Sequence, residues 1–151
     1  MLNIVINEAE RAAFFDTLKK FIVGKLGYSL KQASSIDLFS FREDYFTLQF
    51  KKGLDDLYLK IGDYSYPAPE QKSIVISRIG FRKSHSGSGT ELLKELCKLG
   101  PEFKYDWLYI ECPNPGCQEF MKKLGFKDTS PISIHELKNS IQEYENHKVV
   151  Q

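Results

Sequence analysis

The feature that most narrows what this chain can fold into is a pair of strand-forming runs joined by a single helix. Ser73–Ile79 reads SIVISRI, a β-branched run suited to a well-buried strand. Asp106–Cys112, DWLYIEC, is the next strand. Between them Leu92, Leu93, Leu96 and Leu99 share one helical face, and Gly100–Pro101 is expected to end that helix. Strands connected through a helical crossover are parallel neighbours, because tight turns join only antiparallel ones.

Upstream the hydrophobic period is different. Phe46, Leu48 and Phe50 alternate with polar residues, and so do Leu57, Leu59 and Ile61, as in half-buried strands. With Ile36, Leu38 and Phe41 in a strand before them and Arg42–Asp44 as the turn, hairpins are expected over about 36–41, 45–51 and 56–62. A helix over Glu8–Leu26 precedes them, with Phe14, Leu18, Phe21, Ile22 and Leu26 as its stripe, Asn7 and Glu10 as a capping box and Gly27 as its stop. Downstream, Asn114–Pro115 opens a helix that Gly125 ends, Phe126–Asp128 begins a short extended piece, and Ser133 with Glu136 caps a last helix striped by Ile134, Leu137, Ile141 and Tyr144. The expected fold is α/β in the broad sense (α+β): a largely antiparallel central sheet with one parallel step and helices on both faces, in a single domain over 1–151.

Composition removes several function classes. Lys plus Arg is 21 and Asp plus Glu is 20, a net charge of +1, which argues against a dedicated nucleic-acid binder. No apolar run approaches the roughly 18 residues of a membrane span, and the N-terminal stretch lacks the apolar core of a secretory signal. Three cysteines, Cys97, Cys112 and Cys117, make no disulfide framework and no zinc set, so a reducing cytoplasm and no metal are expected. The Asp63–Lys72 segment, with Tyr64, Tyr66, Pro67 and Pro69, reads as a loop.

The chemistry is concentrated in Ile79–Leu93, IGFRKSHSGSGTELL. A strand runs into a glycine-containing turn and the turn into a helix. Backbone amides at such a turn and the positive end of the helix dipole make a site for phosphate or pyrophosphate. Gly87 and Gly89 would let a ligand approach the backbone, with Arg82 and Lys83 just upstream. No Lys-Ser/Thr pair follows as in a Walker A loop, and Gly87-x-Gly89 lacks the third glycine of a dinucleotide fingerprint. Taken alone, a G-x-G is equally a flexible turn capping a helix.

The segment resembles the acetyl-coenzyme A (acetyl-CoA) loop of the GNAT N-acetyltransferase superfamily. Ile79 stands at the strand end, Ser84-x-x-Gly87-x-Gly89 at the loop and Leu92–Leu93 in the helix. A second part of the resemblance is CPNPGCQEFMKKLGFKD, where Asn114, Cys117, Phe120 and Leu124–Gly125–Phe126 follow the family's order. Together the two parts cover roughly Ser73–Asp128, and the N-terminal half is divergent. The resemblance implies acetyl-CoA as co-substrate, bound by Ile79, Arg82, Lys83, Ser84, His85, Ser86, Gly87, Ser88, Gly89, Thr90 and Asn114. Its pantetheine arm would pair with strand 73–79 and its pyrophosphate would lie on the amides of His85–Thr90. Transfer would go directly to a primary amine, a small molecule or a peptide, lying between the two strand ends. Glu111 is the candidate general base there, and Tyr109 shares its strand face as a substrate-binding or acid residue. Two departures stand out. Ser84 replaces a Gln or Arg, and Met121 occupies the position of the tyrosine implied to protonate the leaving thiolate; a thioether has no proton to give. The alternative readings are a GNAT-like module that binds CoA or a protein partner without turnover, and a nucleotide-binding protein. No nucleic-acid or membrane partner is expected, and a homodimer through the terminal helix is left open.

Overall fold

Side-chain alternation builds the centre of the molecule. In the computed structural model, which describes residues 5–40, 42–63, 72–83, 87–111, 115–127 and 130–150 (the last three by backbone alone), β2 (Tyr45–Lys52) and β3 (Asp55–Gly62) pair antiparallel over their full length. Phe46 lies opposite Ile61, Leu48 opposite Leu59 and Phe50 opposite Leu57, and all six are at most 1% exposed. β1 (Asp37–Phe39) flanks β2. β4 (Ser73–Gly80) pairs antiparallel with β3 and parallel with β5 (Trp107–Ile110), and β6 (Ile132–Ser133) closes the other edge antiparallel to β5. The order is thus β1-β2-β3-β4-β5-β6, with the parallel step where the helical crossover requires it.

Ile74, Ile76, Leu108 and Ile110 continue the apolar face across β4 and β5. Onto it α1 (Glu8–Gly24) lays Phe14, Leu18 and Ile22, and α3 (Ser88–Phe103) lays Leu92, Leu93 and Leu96. α4 (Pro115–Lys123) adds Met121, α5 (Ile134–Val150) adds Leu137 and Ile141, and the short α2 (Leu30–Ala33) adds Ala33. Each such Leu, Ile or Phe stabilises by about 1.5–3 kcal/mol relative to exposure. All of these described helices feed one cluster, which corrects the expectation of helices on both faces. The opposite face carries half-buried Tyr45, Thr47, Gln49, Tyr58, Lys60 and Tyr109, polar enough to remain without a helical cover. Val75 is the fully buried exception there, in register between Lys60 and Tyr109.

Several element ends differ from expectation. β1 is shorter than 36–41 and does not alternate: Ile36 is buried just before it, whereas Leu38 and Phe39 are 37% and 59% exposed, and Phe41 lies outside the described residues. α3 does not stop at Gly100–Pro101. A Cβ on Gly100 would sit 2.8 Å from Ile134 Cγ2, so this glycine serves close packing with α5, and the helix runs on to Phe103. Lys104, at φ 64, ends it with its N–H donating to the Gly100 carbonyl. Phe126–Lys127 is not a strand, and Asp128 lies outside the described residues. Gly125, at φ 88, does end α4: its N–H reaches the Lys122 carbonyl and that of Phe126 reaches Met121, a Schellman closure.

The capping box at Asn7 forms only by half. The Glu10 N–H donates to Asn7 Oδ1 at 2.8 Å, but the Glu10 carboxylate turns inward. It takes the Lys72 ammonium at 2.7 Å and the Tyr105 hydroxyl at 2.8 Å, while Lys72 also donates to the Phe103 carbonyl at 3.1 Å. This clamp ties α1 to the end of α3 and to the entry of β4.

Candidate functional site

The site forms where β4 outlives its partner. β4 and β5 pair from Ser73↔Trp107 to Ile76↔Ile110, and the Glu111 N–H donates to the Ile76 carbonyl at 2.9 Å. Beyond that point β4 continues through Gly80 with β3 as its strand partner and none on the β5 side among the described residues. A bulge coincides with the parting: Tyr58 faces Arg78 and Leu59 faces Ile76, which leaves Ser77 as the extra residue. Bulges bend and twist a strand, and this one falls where the pairing of β4 with β5 ends.

The chain leaving β4 is anchored. Phe81 packs edge-on against Phe21 at 6.0 Å, and the Arg82 N–H donates to Asp55 Oδ1 at 2.8 Å. Asp55 is 2% exposed and also accepts the Tyr28 hydroxyl at 2.5 Å. That hydrogen bond, with burial, raises the Tyr28 pKa. After this anchor Gly87 takes the N-cap of α3 at φ 83, with no side-chain cap over the first turn. A cleft of about 680 Å³ opens there between the start of α3, α4 and α5. Its lining carries Lys25, Lys83 and Lys123 against Glu91, Glu119 and Glu145, and Ile79, Phe81 and Phe120 give it apolar surface.

Of the residues expected to bind a coenzyme, Ile79, Lys83, Gly87, Ser88, Gly89 and Thr90 line this cleft. Arg82 does not line it; its backbone serves the Asp55 anchor. Ser84, His85, Ser86 and Asn114 lie outside the described residues. Gly89 has a different reason than ligand approach. A Cβ there would meet Phe120 Cζ at 2.8 Å, so the glycine admits the α4 ring. Gly87 is glycine for its left-handed backbone, with only Lys25 Nζ near an added Cβ, at 4.0 Å.

Glu111 and Tyr109 stand apart from the cleft. By register they share the helix-free face with Val75 and Lys60, and Lys60 Nζ lies 3.3 Å from Glu111 Oε1. Met121 is 1% exposed in the core, so α4 turns Cys117 and Phe120 to the cleft instead. Burial pushes the Cys117 thiol pKa up, and that of Cys97, in the core, up to about 12; neither is an activated thiolate. Cys112 lies outside the described residues. Among the described residues no group of three or more His, Cys, Asp or Glu side chains could hold a metal ion.

Lys25 and Tyr144 belong to the cleft without any signal in the sequence, since they come from the C-cap of α1 and from within α5 and meet the loop only through the fold. Lys123, in the cleft too, stands in the sequence as one of a pair, Lys122–Lys123. Compared with family models, curated proteins and solved structures, the chain matches none.

Proposed function

We propose that this chain is an acetyl-CoA-dependent N-acetyltransferase of the GNAT type, acting on a primary amine. The observation that carries the reading is the extension of β4 past β5, bulged at Ser77, beside the cleft at the start of α3. Unpaired strand backbone suits an amide-bearing pantetheine arm, which can add to it as a short strand. The α3 N-terminus, with Lys25 near Gly87 and Lys83 just before it, suits a pyrophosphate, while Glu91, Glu119 and Glu145 leave the lining of the cleft as a whole balanced in charge. Bound so, acetyl-CoA supplies a thioester that the amine attacks in the gap between β4 and β5. The coenzyme enters from the helical side and the amine from the helix-free side, where Glu111 stands one residue past the last β5 pair and can take the amine's proton. Holding both reactants at the gap supplies much of the rate.

A second reading, a CoA-binding or partner-binding module without turnover, is favoured by one observation: Met121 is buried and has no proton for the thiolate. Isothermal titration with acetyl-CoA, with ATP as control, separates these from a non-coenzyme cleft. Native protein is expected to bind acetyl-CoA more tightly than ATP, and Lys83→Glu to weaken binding about tenfold, the equivalent of roughly 1.4 kcal/mol. Thiol release with an amine panel then distinguishes transferase from module. Absence of acetyl-CoA binding by the native chain overturns both.

A further inference from the structure

We infer that the buried Asp55 carboxylate is a positioning residue of the coenzyme site: through the Arg82 N–H and the Tyr28 hydroxyl it sets where Lys83 and Lys25 stand at the start of α3. The inference rests on the acetyl-CoA reading of the cleft and deepens it.

Asp55 is an acid in an unusual place. It opens β3 directly after the β2–β3 turn, and its cross-strand partner Lys52 is exposed, as are Gly53 and Leu54. Leu54 is 73% exposed and Asp55 2%, the reverse of what hydrophobicity alone would choose. A carboxylate withdrawn from water is costly unless its oxygens are satisfied. Here each oxygen has a donor, and neither donor comes from the hairpin. Oδ1 takes the N–H of Arg82, two residues past β4, at 2.8 Å. Oδ2 takes the hydroxyl of Tyr28, from the segment that follows α1, at 2.5 Å.

These two segments are the ones that carry the lysines. Lys83 follows Arg82 directly, and Lys25 is the C-cap of α1, three residues before Tyr28. Both line the cleft with Gly87, and Lys25 Nζ lies 4.0 Å from where a Cβ of Gly87 would stand. The Phe21–Phe81 contact brings the end of α1 close to the exit of β4, but it ends at Phe81. The Asp55 hydrogen bond reaches the next residue and orients the peptide between Phe81 and Arg82, because a hydrogen bond fixes direction as well as distance. The bond from Tyr28, whose ring is edge-on to Phe50 at 5.3 Å, holds the turn after Lys25 to the same carboxylate. One buried group thus sets two cations from opposite sides of the cleft entrance. Attraction between an ammonium and a diphosphate falls with distance, so loss of that setting weakens coenzyme binding without removing either lysine.

The test is a double-mutant cycle in the full chain, read by isothermal titration with acetyl-CoA. Asp55→Ala is expected to weaken binding about tenfold at unchanged stoichiometry, and only about threefold or less in a chain that already carries Lys83→Gln. A purely structural role would give the same loss in both backgrounds. Asp55→Asn, which keeps an acceptor for Arg82 and offers its amide to the Tyr28 oxygen, should restore most of the affinity. Should Asp55→Ala not fold, Tyr28→Phe, which keeps the ring on Phe50, carries the same cycle paired with Lys25→Gln, with an expected loss of about threefold that disappears beside the lysine variant. Binding that Asp55→Ala leaves unchanged, or an equal loss with and without the lysine, overturns the inference and leaves the coenzyme reading standing. No binding of acetyl-CoA by the native chain overturns the coenzyme reading, and the inference falls with it.

Discussion

At its N-terminal end β4 is paired on both sides, Ser73 with Gly62 of β3 and with Trp107 of β5, whereas at its C-terminal end Arg78, Ile79 and Gly80 have β3 alone among the described residues. The polar groups follow the same division. Below Ser73 the Glu10 carboxylate is filled by Lys72 and Tyr105, an internal clamp almost closed to water. Above Ile76 the strand bulges, loses its parallel neighbour and runs into the cleft at the start of α3. One strand is thus paired on both sides at one end and, among the described residues, on one side at the other. Under the proposed function, the contrast places coenzyme binding in withheld pairing rather than in added residues.

The largest expected effect breaks the closed end. Lys72→Met leaves the buried Glu10 carboxylate without its cation, at a cost of about 3–5 kcal/mol. Urea denaturation should show this loss while acetyl-CoA affinity, measured well below the transition, stays near native. A parallel loss of affinity would mean that the two ends are coupled.

At the open end, Gly89→Ala drives a Cβ into Phe120, and overpacking of this kind costs about 1–3 kcal/mol. Phe120→Leu should restore part of the lost stability in the double variant. No rescue would mean that Gly89 is not there to admit the ring.

A smaller effect separates the ends by pH. Burial, then the charge of Glu10 and its hydrogen bond, raise the Tyr105 pKa far above the ordinary tyrosine value near 10. The folded chain therefore keeps a proton that the unfolded chain releases. The contribution of Tyr105 to stability is complete below about pH 10 and declines as pH rises above it. Melting temperatures from pH 8 to 11 should fall at the alkaline end, and Tyr105→Phe should flatten that fall. An equal alkaline fall in the variant would assign the effect elsewhere, with Tyr28, whose pKa is also raised, the next group to replace.

Parts of this contrast are legible in the sequence and parts are not. The alternation of Phe46–Phe50 and Leu57–Ile61 and the crossover between 73–79 and 106–112 declare the sheet and its parallel step, because strand period and connection length are local properties. The end of α3 is not legible at Gly100–Pro101, since the glycine answers to Ile134, a residue distant in sequence. The sharing of one face by Tyr109 and Glu111 follows from alternation, but which face turns away from the helices does not. The half capping box at Asn7 gave no hint that the Glu10 carboxylate is spoken for by Lys72 and Tyr105. Lys25 and Tyr144 reach the cleft from the C-cap of α1 and from within α5, and no local pattern links either to the glycine turn.

Hydrogen exchange of the β4 amides with and without acetyl-CoA tests the open strand end most directly. Binding should slow exchange at Ser77–Gly80, where the pantetheine arm adds to the strand, and leave Ser73–Ile76, already paired on both sides, as they were. Binding that leaves Ser77–Gly80 unchanged, or no binding at all, would contradict the assignment of this strand end as the coenzyme site.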